Sequence, residues 1–144
     1  MVARYLHRCS TRIYGRTTTY QTLIMKVIIA GSRGIGPRTA AWLIASLIET
    51  HLKDIDITEV VSGTALGVDQ GGELYAQRNS IPVLRFPANW DKHGKSAGHI
   101  RNAEMVEHAD ALIAVWDGVS RGTRHMIDLA EKKGLVVKII NTSR

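Results

Sequence analysis

The chain has 144 residues, 44% hydrophobic and 22% charged, which suffices for one domain with its own core and is ordinary for a globular protein. A single cysteine, Cys9, excludes an internal disulfide framework and a cysteine-based zinc site, and no apolar run approaches the roughly 20 residues of a membrane span. The net charge of +6 is unevenly spread: residues 1–24 carry Arg4, Arg8, Arg12 and Arg16 and no acid, so the remainder is close to neutral and lacks the charge of a nucleic-acid-binding domain.

Residues 1–24 are rich in Arg, Thr, Ser and Tyr and follow no clear period. Their composition fits an organelle-targeting segment, a basic arm for nucleic acid, or a disordered extension ahead of Met25. The last is the expectation adopted, with residues 25–144 read as a single domain. Lys26–Ala30 (KVIIA) is the first predicted strand. A turn, Gly31-Ser32-Arg33-Gly34-Ile35-Gly36, leads to a helix opened by Pro37, where proline is welcome; Ala40, Ala41, Leu43, Ile44, Leu47 and Ile48 form its apolar face. The glycines at 31, 34 and 36 do not match the G-x-G-x-x-G dinucleotide fingerprint. Even so, a glycine-rich strand-to-helix turn with Ser32 and Arg33 suits a phosphate.

A second strand ends at Glu59–Ser62, followed by the small-residue turn Ser62–Asp69 and a helix from about Asp69 to Asn79, with Asp69 as its N-cap. Gly71 and Gly72 are poor helix formers, each about 1 kcal/mol worse than alanine. They point either to close approach by a ligand or to tight helix–sheet packing. Pro82–Phe86 is the third strand. The polar loop Pro87–Gly98 offers Trp90 for stacking on a base and Lys92, His93 and Lys95 for phosphate; the alternative is a core-edge tryptophan with solvated lysines. A helix from about Ala97 to His108 carries Arg101 and Asn102 near its start.

Ala111–Trp116 is an unbroken apolar run, as expected of a strand buried on both faces. The loop Asp117–Thr123 then precedes a helix ending at Gly134, and Leu135–Ile140 is the last strand. Strand, tight loop and helix together form a phosphate-binding device, because the free N–H groups of the first helical turn point at the anion. Alternating strands and helices predict an α/β, doubly wound, mainly parallel sheet of about five strands in the order 3-2-1-4-5, with helices on both faces. All four small-residue loops follow strand C-termini, so they should converge on one cleft at the switch point of the sheet.

Five ordered segments carry a resemblance: Gly31-Ser32-Arg33; Ser62-Gly63-x-Ala65-x-Gly67-x-Asp69; Phe86-Pro87-Ala88-x-Trp90; Gly94-Lys95-x-Ala97-Gly98-x-x-Arg101-Asn102; and Trp116-Asp117-Gly118-x-Ser120-x-Gly122-Thr123. Across about residues 26–140 the chain resembles the YspA/YpsA-related branch of the Rossmann-like SLOG superfamily, which also includes the LOG phosphoribohydrolases and the DNA-processing protein DprA. The resemblance implies a nucleotide or nucleotide-derived ligand and a bacterial or phage setting, hence a cytoplasmic location. LOG enzymes cleave the base from a nucleoside 5′-monophosphate, using an R-K-x-x-M segment and P-G-G-x-G-T-x-x-E. Here Arg101-Asn102-Ala103-Glu104-Met105 is similar to the first. In the second, Met126 stands where the glutamate would be, and methionine cannot supply a carboxylate's charge to the transition state of N-glycosidic cleavage.

Two functions are therefore expected in competition. The first is a sensor or binding module for a nucleoside phosphate, cyclic nucleotide or ADP-ribose type of ligand. Its site draws on Gly31, Ser32, Arg33, Ser62, Gly63, Gly67, Asp69, Trp90, Lys95, Asn102, Gly118, Ser120, Gly122 and Thr123, with phosphate at Ser32, Arg33, Gly122 and Thr123, ribose at Asp69 or Asp117, and the base under Trp90. The alternative is a nucleotide N-glycosidase with Arg101 and Asp117 as catalytic residues. DprA-like binding of single-stranded DNA ranks third, and a nucleic-acid partner is not expected. No metal, cofactor or membrane contact is expected; relatives in the superfamily are often dimers, so homo-oligomers are.

Overall fold

The computed structural model describes residues 5–13 and 15–143, with side-chain surroundings for Gly15 and residues 22–143. The side chains of Arg4, Arg8, Cys9, Arg12 and Arg16 lie outside the described residues. Six strands form one sheet: β1 (Tyr5–Ile13), β2 (Arg16–Gly31), β3 (Ile55–Ser62), β4 (Val83–Arg85), β5 (Ala111–Trp116) and β6 (Val136–Asn141). Helices α1 (Pro37–His51), α2 (Val68–Arg78), α3 (Trp90–His93), α4 (Ala97–Glu107) and α5 (Arg121–Lys133) alternate with them. The order β4-β3-β2-β5-β6 is parallel throughout, and it is the predicted five-strand order.

Where an extension without regular structure is expected, the backbone of β1 instead pairs antiparallel with the first half of β2, through a connection holding Gly15 at φ +74. Thr17, Thr18, Thr19 and Tyr20 are strand-favouring residues, and β2 accordingly begins ten positions before Lys26. Only its second half, from Leu23, pairs with β3 and β5.

Both faces of the sheet are covered, because alternate residues of the central strands point to opposite sides. Val27, Ile29, Ile113 and Val115 pack with Ala40, Ala41 and Ile44 of α1 and with Val68 and Ala76 of α2. Ile28, Ala30, Leu112 and Ala114 pack with Met105 and Val106 of α4 and with Met126, Ile127 and Ala130 of α5. A register shift after Met25 gives β3 one extra residue, so Ile57 and Val60, three apart, both reach the α1/α2 side.

Gly71 and Gly72 take the packing role. A Cβ at Gly71 would lie 2.5 Å from the Ala40 Cβ and 2.8 Å from the Pro37 carbonyl oxygen, and one at Gly72 would lie 2.7 Å from the Ile29 Cβ. These two positions let α2 sit directly on α1 and β2. Gly71→Ala is expected to destabilise by about 1–3 kcal/mol, against the gain in helix propensity of about 1 kcal/mol. A lowered urea midpoint with unchanged slope would show this; an unchanged or raised midpoint would contradict the packing account.

Candidate functional site

The C-terminal ends of β2 and β5 are bound together more closely than side chains would allow. At Gly31 a Cβ would stand 2.1 Å from the Val115 carbonyl oxygen. The next residue, Ser32, is buried; its N–H donates to that same oxygen at 3.1 Å, and its Oγ accepts the Asp117 N–H at 3.0 Å. Ser32 therefore ties the first glycine loop to the fourth. Gly67, at φ +83, lies against the backbone of Ser32 and Arg33, so the second loop meets the first there. Gly67 is also the N-cap of α2. Asp69, expected as that cap, is the second helical residue, and its Oδ2 reaches back to accept the Ala65 N–H at 3.1 Å.

The loops enclose a cleft of about 450 Å³. Gly31 and Arg33 come to it from the first loop, Asp69 from the second, Trp90, Lys95, Arg101 and Asn102 from the third loop and α4, and Asp117, Ser120, Gly122 and Thr123 from the fourth. Arg33, Asp69, Lys95 and Thr123, predicted from four separate stretches of sequence, thus line one cavity. Ser62, Gly63, Gly67 and Gly118 do not line it. Ser62 is buried, donating to Glu73 Oε1 at 2.8 Å, and Glu73 also binds Arg85. The Gly63 carbonyl accepts from Arg101 Nη1. Gly118, at φ +85, shapes its turn. The loop before α4 is not wholly irregular, because it holds α3 and a short 3-10 turn, Gly94–Ser96. Trp90 is 53% exposed over this side of the cleft, and Lys95 is exposed.

The two aspartates differ sharply. Asp117 Oδ1 accepts the N–H groups of Val119 and Ser120 at 2.9 and 2.8 Å, and these bonds hold its carboxyl below the usual range. It is an ionised turn former. Asp69 is 4% exposed, and burial pushes its carboxyl up to about 6, against the opposing pull of the Ala65 N–H and the Arg101 charge. Arg101 is itself lowered by burial, with Asp69 acting the other way. The floor of the cleft is therefore a carboxyl and a guanidinium that both titrate off their ordinary values, a feature common at functional sites.

At the rim, α5 begins with Arg121, Gly122 and Thr123, and its first internal bond is Arg124 N–H to Ser120 O at 3.1 Å. The three preceding amides therefore stand at the positive end of the helix. A Cβ at Gly122 would meet nothing within 4 Å. Thr123 is buried and donates to Ser120 Oγ at 3.1 Å. Met126, in the place of the LOG glutamate, is buried and lines the cleft. His99 also lines it and is absent from the sequence prediction; it lies two residues before Arg101 in the same first turns of α4, so the reasoning that selected Arg101 extends to it. Among the described residues no His, Cys, Asp and Glu cluster suited to a metal occurs, and no helix is long and apolar enough to cross a membrane.

The amino-acid sequence of this doubly wound domain matches known proteins. The profile of the YspA, cpYpsA-related SLOG family matches residues 25–93, and the chain belongs to that family. A relative is the gene 61 protein of Mycobacterium phage D29, 39% identical over 119 residues that span 78% of this chain and 93% of that protein. No solved structure matches.

A buried carboxyl with a raised pKa binds more protons in the folded than in the unfolded chain between 3.8, its ordinary value, and about 6. Its contribution to stability is therefore favourable at low pH and is lost as pH rises through about 6. The shift corresponds to on the order of 3 kcal/mol. Asp69→Asn should accordingly gain stability over the unaltered protein by roughly that amount between pH 4 and pH 7, read from urea unfolding of both at each pH. A difference independent of pH would refute the assignment.

Proposed function

We propose that the protein binds a nucleotide or nucleotide-derived ligand in this cleft, as a sensor or binding module. The carrying observation is the pairing, in one cavity, of an unblocked helix N-terminus with a buried carboxyl beside a guanidinium. The amides of Arg121, Gly122 and Thr123 suit a phosphate, with Arg33 and Lys95 supplying further positive charge. Asp69 suits a ribose hydroxyl, and the exposed Trp90 ring suits a base. Gly122 supports the same reading: alanine there is free of steric conflict and favours the helix, yet its methyl group would occupy the space an anion needs.

A second reading, N-glycosidic hydrolysis, is favoured by Asp69. In it the neutral Asp69 carboxyl donates its proton to the leaving base as the N-glycosidic bond breaks, water adds to the anomeric carbon and returns a proton to the Asp69 carboxylate, and Arg101 steadies the phosphate; the products are free base and ribose 5-phosphate. The raised pKa of Asp69 suits it to this task, whereas the depressed one of Asp117 makes that residue a poor donor.

Calorimetry with AMP, cyclic AMP and ADP-ribose tests the first reading. Binding of at least one is expected, and binding of none removes it. Gly122→Ala should raise stability by up to about 1 kcal/mol while weakening the bound nucleotide about tenfold or more, some 1.4 kcal/mol. The hydrolytic reading requires free base to appear from AMP, and to cease in Asp69→Asn while Asp117→Asn retains it.

A further inference from the structure

Asn102, 6% exposed, stands between three partners on two elements. Its Oδ1 accepts the Arg101 Nε–H at 3.1 Å, and its Nδ2 lies 3.3 Å from the Gly122 carbonyl oxygen and 3.2 Å from His125 Nδ1. The orientation of the carboxamide is determined twice over. A guanidinium N–H can only donate, so it must face the oxygen; a carbonyl oxygen can only accept, so it must face the NH2 group. The second NH2 hydrogen is then directed at His125 Nδ1, which must present a lone pair. The ring proton of neutral His125 therefore belongs on Nε2.

Asn102 thus links Arg101, on the floor of the cleft, to the first turn of α5 at its rim. His125 also stacks on His99, with ring centres 3.9 Å apart and planes 12° from parallel. We propose that His125 is a positioning residue: unprotonated, it completes the bonding of Asn102 and so holds Arg101 and the α5 N-terminus in register, and protonation at Nδ1 sets N–H against N–H and releases that hold. The charged neighbours oppose one another. Burial disfavours a charge on His125, as does His99 from α4, so the ring is held below the ordinary imidazole range; Asp128, on α5, favours a charge, but its carboxylate is engaged by Arg124 at 3.0 Å. Arg121 and Arg124 share helix α5 with His125, and Arg101 on α4 shares the Asn102 carboxamide with it. The cleft is accordingly held together at neutral pH and loosens in acid. Acid is therefore expected to weaken a bound ligand, and only that consequence rests on the proposed binding function.

Nitrogen-15 NMR of the ligand-free protein provides the test. At pH 8 His125 should show the Nε2–H tautomer, and the Asn102 side-chain NH2 signals should shift along the titration of His125. Asn102 is the reporter because Arg101 also senses Asp69. His125→Gln, whose carboxamide oxygen accepts without titrating, should leave the Asn102 signals in place at pH 8 and remove the component of their pH dependence that follows His125. An Nδ1–H tautomer, Asn102 signals flat through the His125 titration, or an unaltered dependence in His125→Gln would each overturn the proposal. None of these outcomes depends on nucleotide binding, so failure here and failure to bind AMP are separate results.

Discussion

The site depends on one close approach, that of the β2 and β5 backbones where both strands end. Gly31 permits the contact because any side chain would collide with the Val115 carbonyl. Ser32 then extends the pairing past the last strand residues, donating its N–H to Val115 and accepting the Asp117 N–H at its hydroxyl. Gly67 adds the third segment by lying on the Ser32 and Arg33 carbonyl oxygens. Three loops from distant parts of the chain are held by backbone contacts around one buried hydroxyl. Buried polar groups of this kind are costly unless fully bonded, so the contact set tolerates little variation in loop position. The residues that face the cleft can then differ in chemistry without losing their placement.

The sheet order was legible because the apolar runs KVIIA and ALIAVW announce central strands, and because helices of ordinary length separate the strands. The position of the cleft followed from topology: loops after parallel strands meet at the switch point. Less legible was which glycine or hydroxyl lines the cleft and which serves the fold. Ser32, Ser62, Gly63 and Gly67 have the composition of a phosphate loop, yet their groups are spent on Asp117, Glu73, Arg101 and the first loop. A hydroxyl's partner is set in three dimensions and leaves no mark on local sequence. The N-terminal strands were missed because the apolar periodicity that reveals a packed strand is absent from a stretch of threonine, arginine and tyrosine. His125 escaped notice because its meaning lies in contacts with Asn102 and His99 across two helices.

The aspartates show how environment assigns roles to identical side chains. Asp117 is only partly buried at the cleft and is satisfied by two amides, so its charge is readily held. Asp69 is buried beside Arg101, and the Ala65 and Gly31 amides do not compensate its desolvation. Had the fold been optimised for stability alone, Asp69 would be replaceable by an uncharged residue, and Gly122 by a better helix former. Their joint presence at opposite sides of one cleft is local cost incurred where a ligand would contact the protein.

Arg101 connects these two sides. Its Nη1 is held by the Gly63 carbonyl, its Nε by Asn102, and Asn102 in turn by Gly122 and His125. The described ion pairs, Arg85–Glu73, Arg124–Asp128 and Lys133–Glu107, do not include it; its direct hydrogen-bond partners are neutral, while the Asp69 carboxyl lies near enough for the two charges to interact. That is the arrangement a site needs if the charge is to act on something that arrives later. A guanidinium fixed by a carbonyl and a carboxamide is held in place without a bonded carboxylate, although nearby Asp69 tempers its charge. The same reasoning explains why asparagine suits position 102 here: it can fix the arginine from one side and the helix from the other while adding no charge to a cleft that already holds three cations.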